Sequence, residues 1–181
     1  AFDLLPVLLL VTDEVEEEIQ RSIPRRQAYR KGGHLVLGSA SARRREILTR
    51  AGFRFRSATP RFDEAAVIRR LERRRFGHAF HVTLREALAE MVTGKWRSLE
   101  HRRDDVVLCF DTVVHDGRKV WGKPLDRHQA EGFIKALSGR THQVTTACLA
   151  GMGPWCRIRM WTTHVQFRPL EEGDITRVMD R

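Results

Sequence analysis

Apolar and polar positions divide this chain into short apolar runs and segments of helical spacing. The apolar run 35–38 predicts a short buried strand, and the longer run 106–114 predicts a second one. Asp116-Gly117 follows that second run and is typical of a tight hairpin turn. Two long strands are predicted over 144–150 and 156–167, joined by a glycine-rich turn.

Apolar residues at helical spacing predict five helices among these strands. In three of them a Ser or Asp stands at the predicted N-cap, where its side chain can accept a backbone N–H. The predicted helices run from Ser41 to Gly52, from Asp63 past Leu71, over 83–99, from Asp126 to Ser138, and from Glu171 onward. Strands alternating with helices, with one clear hairpin, predict a mixed α/β sheet flanked by helices.

Residues 1–33 are predicted to form an N-terminal extension ahead of a domain over 34–181. The apolar stretch 4–11 is too short to span a bilayer, and an acidic run follows it, so we expect neither a membrane span nor a signal peptide. A basic segment then leads to Gly32-Gly33. No chemistry is assigned to the extension.

Charge and cysteine usage narrow the class of protein. The 33 Lys and Arg residues against 23 Asp and Glu give a net charge of +10, which favours anionic partners such as nucleotides or nucleic acid. Cys109 and Cys148 lie in apolar runs, so we expect reduced, buried thiols and a cytoplasmic protein. The eight histidines show no tight metal-ligand spacing.

The run 39–48, Ser-Ala-Ser-Ala-Arg-Arg-Arg-Glu-Ile-Leu, is the strongest chemical signal and directly follows the first strand. Free N–H groups at a helix N-terminus, serine hydroxyls and arginines together predict a phosphate-binding turn.

Asp111 lies inside the apolar run 106–114, where a carboxylate is costly unless it is paired, bound to metal or open to a cleft. Lys123 precedes the helix that begins at Asp126 and could reach an anion. Its Gly-Lys spacing imitates a Walker A loop, but Pro124 replaces the Ser or Thr that such a loop needs.

Taken in order, these motifs resemble those of the Maf family of nucleoside triphosphate pyrophosphatases. The run 39–48 matches the family's opening motif, with Ala42 where proline is usual. The resemblance also rests on Asp63-Glu64, on Asp-Thr-Val-Val at 111–114, on Gly-Lys-Pro at 122–124, and on the later runs 137–144 and 165–170. It covers approximately residues 35–181.

The resemblance implies a sheet with helices in two lobes around a nucleotide cleft. It also implies hydrolysis of a nucleoside triphosphate to the monophosphate and pyrophosphate with Mg²⁺ or Mn²⁺. Asp111, Lys123 and Glu64 are the implied catalytic residues, with Asp111 as general base or water-positioning group and Asp111 and Glu64 as metal ligands. The implied substrate-binding residues are Ser39, Ser41, Arg43, Arg44, Lys95 and Thr112.

Arg43 and Thr112 stand where the branch of the family that prefers dTTP and UTP carries Arg and Thr, so a pyrimidine triphosphate or a modified nucleotide is the expected substrate. The family continues into a Lys-Ala-Gly…Gln-Gly segment that has no counterpart here. We therefore expect either a C-terminally incomplete domain or a nucleotide-binding remnant with impaired catalysis. A homodimer is implied by resemblance only. The third reading, a basic nucleic-acid-binding module using an arginine-rich face over 69–75, is less favoured because no stacking platform is visible.

Overall fold

The computed structural model describes residues 33–73 and 79–180. The expectations for residues 1–32 fall outside these ranges. The strands are β1 Leu35–Gly38, β2 Phe55–Ala58, β3 Val106–His115, β4 Val120–Trp121, β5 Thr141–Met152 and β6 Trp155–Gln166. The helices are α1 Ala42–Arg50, α2 Glu64–Glu72, α3 Phe80–Arg97, α4 Arg127–Leu137 and α5 Glu172–Met179.

The six strands form one mixed sheet in the order β2-β1-β3-β5-β6, with β4 added to β3. β1 pairs in parallel with β2 and β3, whereas the β3–β4, β3–β5 and β5–β6 pairs are antiparallel. The predicted mixed α/β sheet is therefore confirmed.

One edge of β3 is shared by two short neighbours that do not meet. The pairing with β1 ends where Gly38 lies opposite Cys109, and the pairing with β4 begins only at Val114. The other edge of β3 is fully occupied by β5. Residues 110–113 consequently have no strand partner on the β1 side among the described residues, and this unpaired edge positions the site.

Side-chain caps begin three of the helices at the predicted residues. Ser41, Asp63 and Asp126 each accept a backbone N–H three residues ahead, from Arg44, Ala66 and Gln129 respectively. Such a bond satisfies one of the donors that a helix N-terminus leaves free. These helix starts are therefore dictated locally by the sequence.

The apolar residues pack on both faces of the sheet. On one face α2 and α3 cover β-strand residues, with Leu88, Met91 and Val107 at the centre of the cluster. On the other face α1 packs over Leu37 and Leu108, while α4 and α5 cover Val114 and Val144. None of the helices in the described ranges is long and apolar enough to cross a membrane.

Several element boundaries differ from the sequence prediction. β2 was not predicted, because its four residues are exposed or half-buried and lack an apolar pattern. α3 starts at Phe80 and passes through Gly94, where a side chain would collide with the ring of Phe62. Glycine at that position lets the aromatic ring pack directly against the helix. β5 begins at Thr141, ahead of its apolar run, because pairing with β6 extends into polar residues, and β6 begins at Trp155, which pairs with Met152.

Candidate active site

The candidate site is built around the unpaired edge of β3. The carbonyl oxygen of Phe110 has no ladder partner there and accepts two side-chain donors instead. Lys95 Nζ donates to it at 2.9 Å, and Arg44 Nη1 donates to it at 3.1 Å. A buried carbonyl needs such partners, and here one oxygen anchors two cations that come from α3 and α1.

Asp111 is buried, and its side chain points toward the α3 side of the sheet. Its Oδ1 accepts the backbone N–H of Thr112 at 2.9 Å. Its Oδ2 lies 2.6 Å from Lys95 Nζ in an ion pair. Burial raises the pKa of Asp111 despite the nearby Lys95 and Arg44 cations, and the neighbouring Glu64 carboxylate raises it further.

Lys95 connects the acidic groups of the site. It lies in the last turn of α3 with a side chain only 6% exposed, and its ammonium group is 2.9 Å from Glu64 Oε1. With Phe110 and Asp111 it therefore has three acceptors, which match the three hydrogens of an ammonium group. Glu64, in the first turn of α2, is more exposed at 43% and forms the open side of this cluster.

Arg44 approaches the same edge from α1. Its Nη2 donates to Thr112 Oγ1 at 3.3 Å, and its Nη1 also donates to Ser39 Oγ at 3.2 Å. The guanidinium carbon lies 5.4 Å from the centre of the Phe110 ring. Enclosure by these groups lowers the pKa of Arg44, but an arginine stays protonated in a protein, so the site retains this charge.

Ser39 and Ser41 lie at the start of α1, and their hydroxyl oxygens accept hydrogen bonds there. Ser39 Oγ accepts from Ser41 N at 3.3 Å and from Arg44, and Ser41 Oγ accepts from Arg44 N at 3.4 Å. Neither hydroxyl donates a hydrogen bond within the described ranges, so each hydrogen can be directed to an incoming acceptor. Together with the N-terminus of α1 this makes a binding place for an anion.

Lys123 and Arg43 lie outside the cluster formed by Asp111, Lys95 and Arg44. Lys123 follows β4, which borders the unpaired edge from its other end, and its side chain is exposed. Within residues 33–73 and 79–180, Lys123 makes no hydrogen bond or ion pair, so its participation stays a prediction. Arg43 is half-buried beside Arg44 in the first turn of α1.

Two groups at the site were not predicted from the sequence. The Phe110 carbonyl is a backbone group, and the residue type does not indicate which carbonyl a sheet leaves unpaired. Thr146 Oγ1 lies 3.0 Å from Thr112 Oγ1 because β5 places the two residues opposite each other. Identifying Thr146 requires the register between β3 and β5, which the sequence pattern did not define.

The donor set fits a hard divalent cation in one respect. Asp111 and Glu64 offer carboxylate oxygens, and Mg²⁺ is commonly held by one or two carboxylates together with substrate phosphates and water. Asp111 Oδ2 lies 2.6 Å from Lys95 Nζ, so a cation held there would share this oxygen with the ammonium group. No cluster of three or more Asp, Glu, His or Cys side chains occurs in the described part of the chain, so the remaining ligands would come from elsewhere.

The chain is similar to known proteins. Residues 34–181 match the family described as Maf-like protein. A dTTP/UTP pyrophosphatase of Hahella chejuensis is 32% identical over 146 residues, which cover 81% of this chain and 69% of the relative. The dTTP/UTP pyrophosphatases of Sphingopyxis alaskensis and Symbiobacterium thermophilum are 34% and 35% identical over 143 residues; each match covers 78% of this chain and, respectively, 69% and 67% of the relative. With these motifs, this sheet and these matches, the chain belongs to the Maf-like protein family.

Proposed function

We propose that this chain is a nucleoside triphosphate pyrophosphatase that releases pyrophosphate and leaves the nucleoside monophosphate. One observation supports the proposal above others. A buried carboxylate, Asp111, stands on an unpaired strand edge between a lysine from one face of the sheet and an arginine from the other. Hydrolysis of a phosphoanhydride needs a proton acceptor for water and positive charge over the phosphates, and this edge offers both.

Binding of the triphosphate is assigned to the start of α1 and its neighbours. The hydroxyl groups of Ser39 and Ser41 and the N–H groups of α1 donate to phosphate oxygens. Arg44 and Lys95 supply positive charge from opposite faces, and their shared anchor on Phe110 holds them in place before substrate arrives. Lys123 reaches the phosphates from the β4 side in this proposal. Such preorganised charge contributes most where charge develops in the transition state.

Asp111 is assigned as the group that accepts the proton of the attacking water. The water oxygen forms a bond to the α-phosphorus, the bond from that phosphorus to the bridging oxygen breaks, and pyrophosphate departs with the electron pair. The raised pKa of Asp111 makes it a stronger base than an exposed aspartate. In this proposal the Asp111 carboxylate takes the proton while Lys95 stays paired with it.

A divalent cation is part of the proposal, with Asp111 and Glu64 as the residues that would hold it. When bound, Mg²⁺ or Mn²⁺ neutralises phosphate charge and polarises the phosphoryl group. Lys95 lies between the two carboxylates and keeps them close in the protein itself.

The substrate class follows from the relatives and from two residues of the site. We propose dTTP or UTP, because the relatives are named for these nucleotides and because Arg43 and Thr112 occupy positions expected of that branch. The three cysteines are free thiols, which supports the proposal of a reducing, cytoplasmic location. The division into an extension and a domain from residue 34, and a homodimer, are further proposals.

The test is product analysis over a panel of triphosphates with Mg²⁺. We expect equal amounts of pyrophosphate and monophosphate, with dTTP and UTP hydrolysed fastest. In water enriched in oxygen-18, the label should enter the monophosphate, because attack is at the α-phosphorus. Release of inorganic phosphate, label in pyrophosphate, or preference for a methylated purine nucleotide would contradict the proposal. Binding of dTTP without turnover would instead identify a nucleotide-binding remnant.

A further inference from the structure

Thr146 contacts Thr112 of the site but none of its charged side chains. It lies on β5 directly opposite Thr112 of β3, and both side chains project from the same face of the sheet. Their hydroxyl oxygens are 3.0 Å apart, which is hydrogen-bond distance. The pair lies on the Arg44 side of the sheet, away from Lys95.

Thr112 joins the two halves of the site. Its backbone N–H donates to Asp111 Oδ1 at 2.9 Å, and its hydroxyl oxygen accepts Arg44 Nη2 at 3.3 Å. One residue therefore orients both the carboxylate and the guanidinium. Whatever restrains the rotation of the Thr112 side chain also restrains where Arg44 points.

Thr146 is the group that restrains it. A threonine hydroxyl carries one hydrogen, and its oxygen has two lone pairs. Thr112 Oγ1 accepts from Arg44 and lies within hydrogen-bond distance of Thr146 Oγ1, where either hydroxyl can be the donor. In either case the contact restrains the Thr112 hydroxyl and leaves a lone pair of its oxygen for Arg44.

Resting on the proposed function, we infer that Thr146 is a positioning residue for substrate binding: through Thr112 it holds the Arg44 guanidinium in the orientation that receives the phosphates. It does not touch the reacting atoms. Its loss should therefore weaken binding of the triphosphate more than it slows the chemical step.

The test uses variants of the full chain. Thr146→Val keeps the shape of the side chain and removes its hydroxyl, whereas Thr146→Ser keeps the hydroxyl. A net hydrogen bond contributes about 0.5–1.5 kcal/mol, so Thr146→Val should raise the KM for dTTP by about threefold to tenfold with kcat changed less than about twofold. Thr146→Ser should restore KM to near the wild-type value.

Thr163→Val is the matched control. Thr163 is a half-buried threonine on the neighbouring strand β6, and its side chain makes no hydrogen bond within the described ranges. Its substitution should leave KM unchanged. An equal change of KM in Thr163→Val, or a wild-type KM in Thr146→Val, would overturn the inference.

A double variant separates positioning through Thr112 from an independent role. Thr112→Val should raise KM by itself, and adding Thr146→Val should then change KM no further, because the two hydroxyls act as one unit. Independent, multiplying effects would contradict the relay.

A measurement without substrate keeps this inference apart from the proposed function. Nitrogen-15 NMR of the ligand-free protein reports how fast the Arg44 guanidinium rotates. We expect slow rotation in the wild type and in Thr146→Ser, and faster rotation in Thr146→Val. If the wild type fails to hydrolyse any triphosphate, the proposed function fails, while this rotation still decides the relay. Unchanged rotation in Thr146→Val would overturn it.

Discussion

Two buried aspartates, one just before β3 and one in its middle, have different surroundings. Asp105, just before the strand, accepts His34 N on Oδ1 and both Arg102 N and Arg56 Nη2 on Oδ2, each at 3.0 Å. Asp111, within the strand, has one hydrogen bond from its neighbour Thr112 and an ion pair from Lys95 to Oδ2. The same residue type has three N–H donors at one position and fewer donors, beside the second carboxylate Glu64, at the other.

The pKa values of the two carboxyls follow from this difference. Burial raises the pKa of Asp105, but N–H donors from Arg102 and His34 and the Arg56 cation outweigh it and hold the pKa at about 2. At Asp111 burial prevails and the pKa is raised. A carboxylate with three N–H donors holds a loop in place, whereas one with fewer donors and a carboxylate neighbour can take up a proton.

The largest expected effect is from removal of the cation that pairs with Asp111. Lys95→Met leaves Asp111 and Glu64 without their shared partner, and we expect kcat/KM to fall by two to three decades, about the loss seen for one charge-stabilising contact. Breaking a buried pair also costs about 3–5 kcal/mol of unfolding free energy. Steady-state kinetics and urea unfolding measure the two effects.

Adding Asp111→Asn to Lys95→Met should recover most of the lost stability and none of the activity. The double variant removes the uncompensated carboxylate that makes the single variant unstable. A double variant as unstable as Lys95→Met alone would show that the ion pair does not explain the loss.

Asp105→Asn should lower the unfolding free energy by about 2 kcal/mol. The amide nitrogen of the new side chain would face N–H donors from which a carboxylate oxygen accepted. The folded pKa lies below the unfolded one, so this stabilisation is complete above about pH 4 and lost as pH falls through about 2. Urea unfolding across that range should show a weaker acid dependence in the variant. An unchanged acid dependence would contradict the assignment.

Glu64→Gln tests how the neighbouring carboxylate acts on Asp111. Removing a negative neighbour lowers the pKa of Asp111, so the acid limb of the kcat/KM profile should move to lower pH. The Mg²⁺ concentration for half-maximal rate should rise about tenfold, since one carboxylate ligand is lost. Glu90→Gln, which removes an exposed carboxylate between α3 and Arg70, is the control and should change neither. A shift in both variants would indicate a general charge effect.

The smallest effect concerns His115, buried at the far end of β3. Its Nδ1 accepts Gly117 N at 3.2 Å, so Nε2 carries the hydrogen toward Thr145 Oγ1 at 2.8 Å. Burial, with His81, His164 and His142 nearby and Asp116 opposing them, lowers its pKa to about 4. The unfolded chain binds this proton near pH 6.5, so stability should decline as pH falls from about 6.5 to 4. His115→Gln should flatten that slope in urea unfolding; an equal slope would exclude His115 as its source.

Much of the fold could be predicted from local features of the sequence. Ser41, Asp63 and Asp126 start helices because each side chain caps its own backbone, which needs no knowledge of the rest of the chain. β2 escaped prediction because its partner β1, rather than its own apolar pattern, makes it a strand. Tertiary pairing decides such edge strands.

The site divides in the same way. Residue types in the run 39–48 and at Asp111 suggested anion binding and an unusual carboxylate, and the family resemblance added Glu64 and Lys95. The double use of the Phe110 carbonyl and the Thr112–Thr146 contact depend on where β1 ends and how β5 is registered. Those are properties of the assembled sheet, and no pattern in the sequence determined them.

The most direct test compares Asp111→Asn with Asp105→Asn in one assay of pyrophosphate release from dTTP and one of dTTP binding. We expect Asp111→Asn to lose about three decades of turnover while its Kd stays close to wild type, and Asp105→Asn to keep turnover in conditions where it is folded. Turnover of Asp111→Asn within tenfold of the wild type would contradict the claim that the buried carboxylate on β3 performs the chemistry.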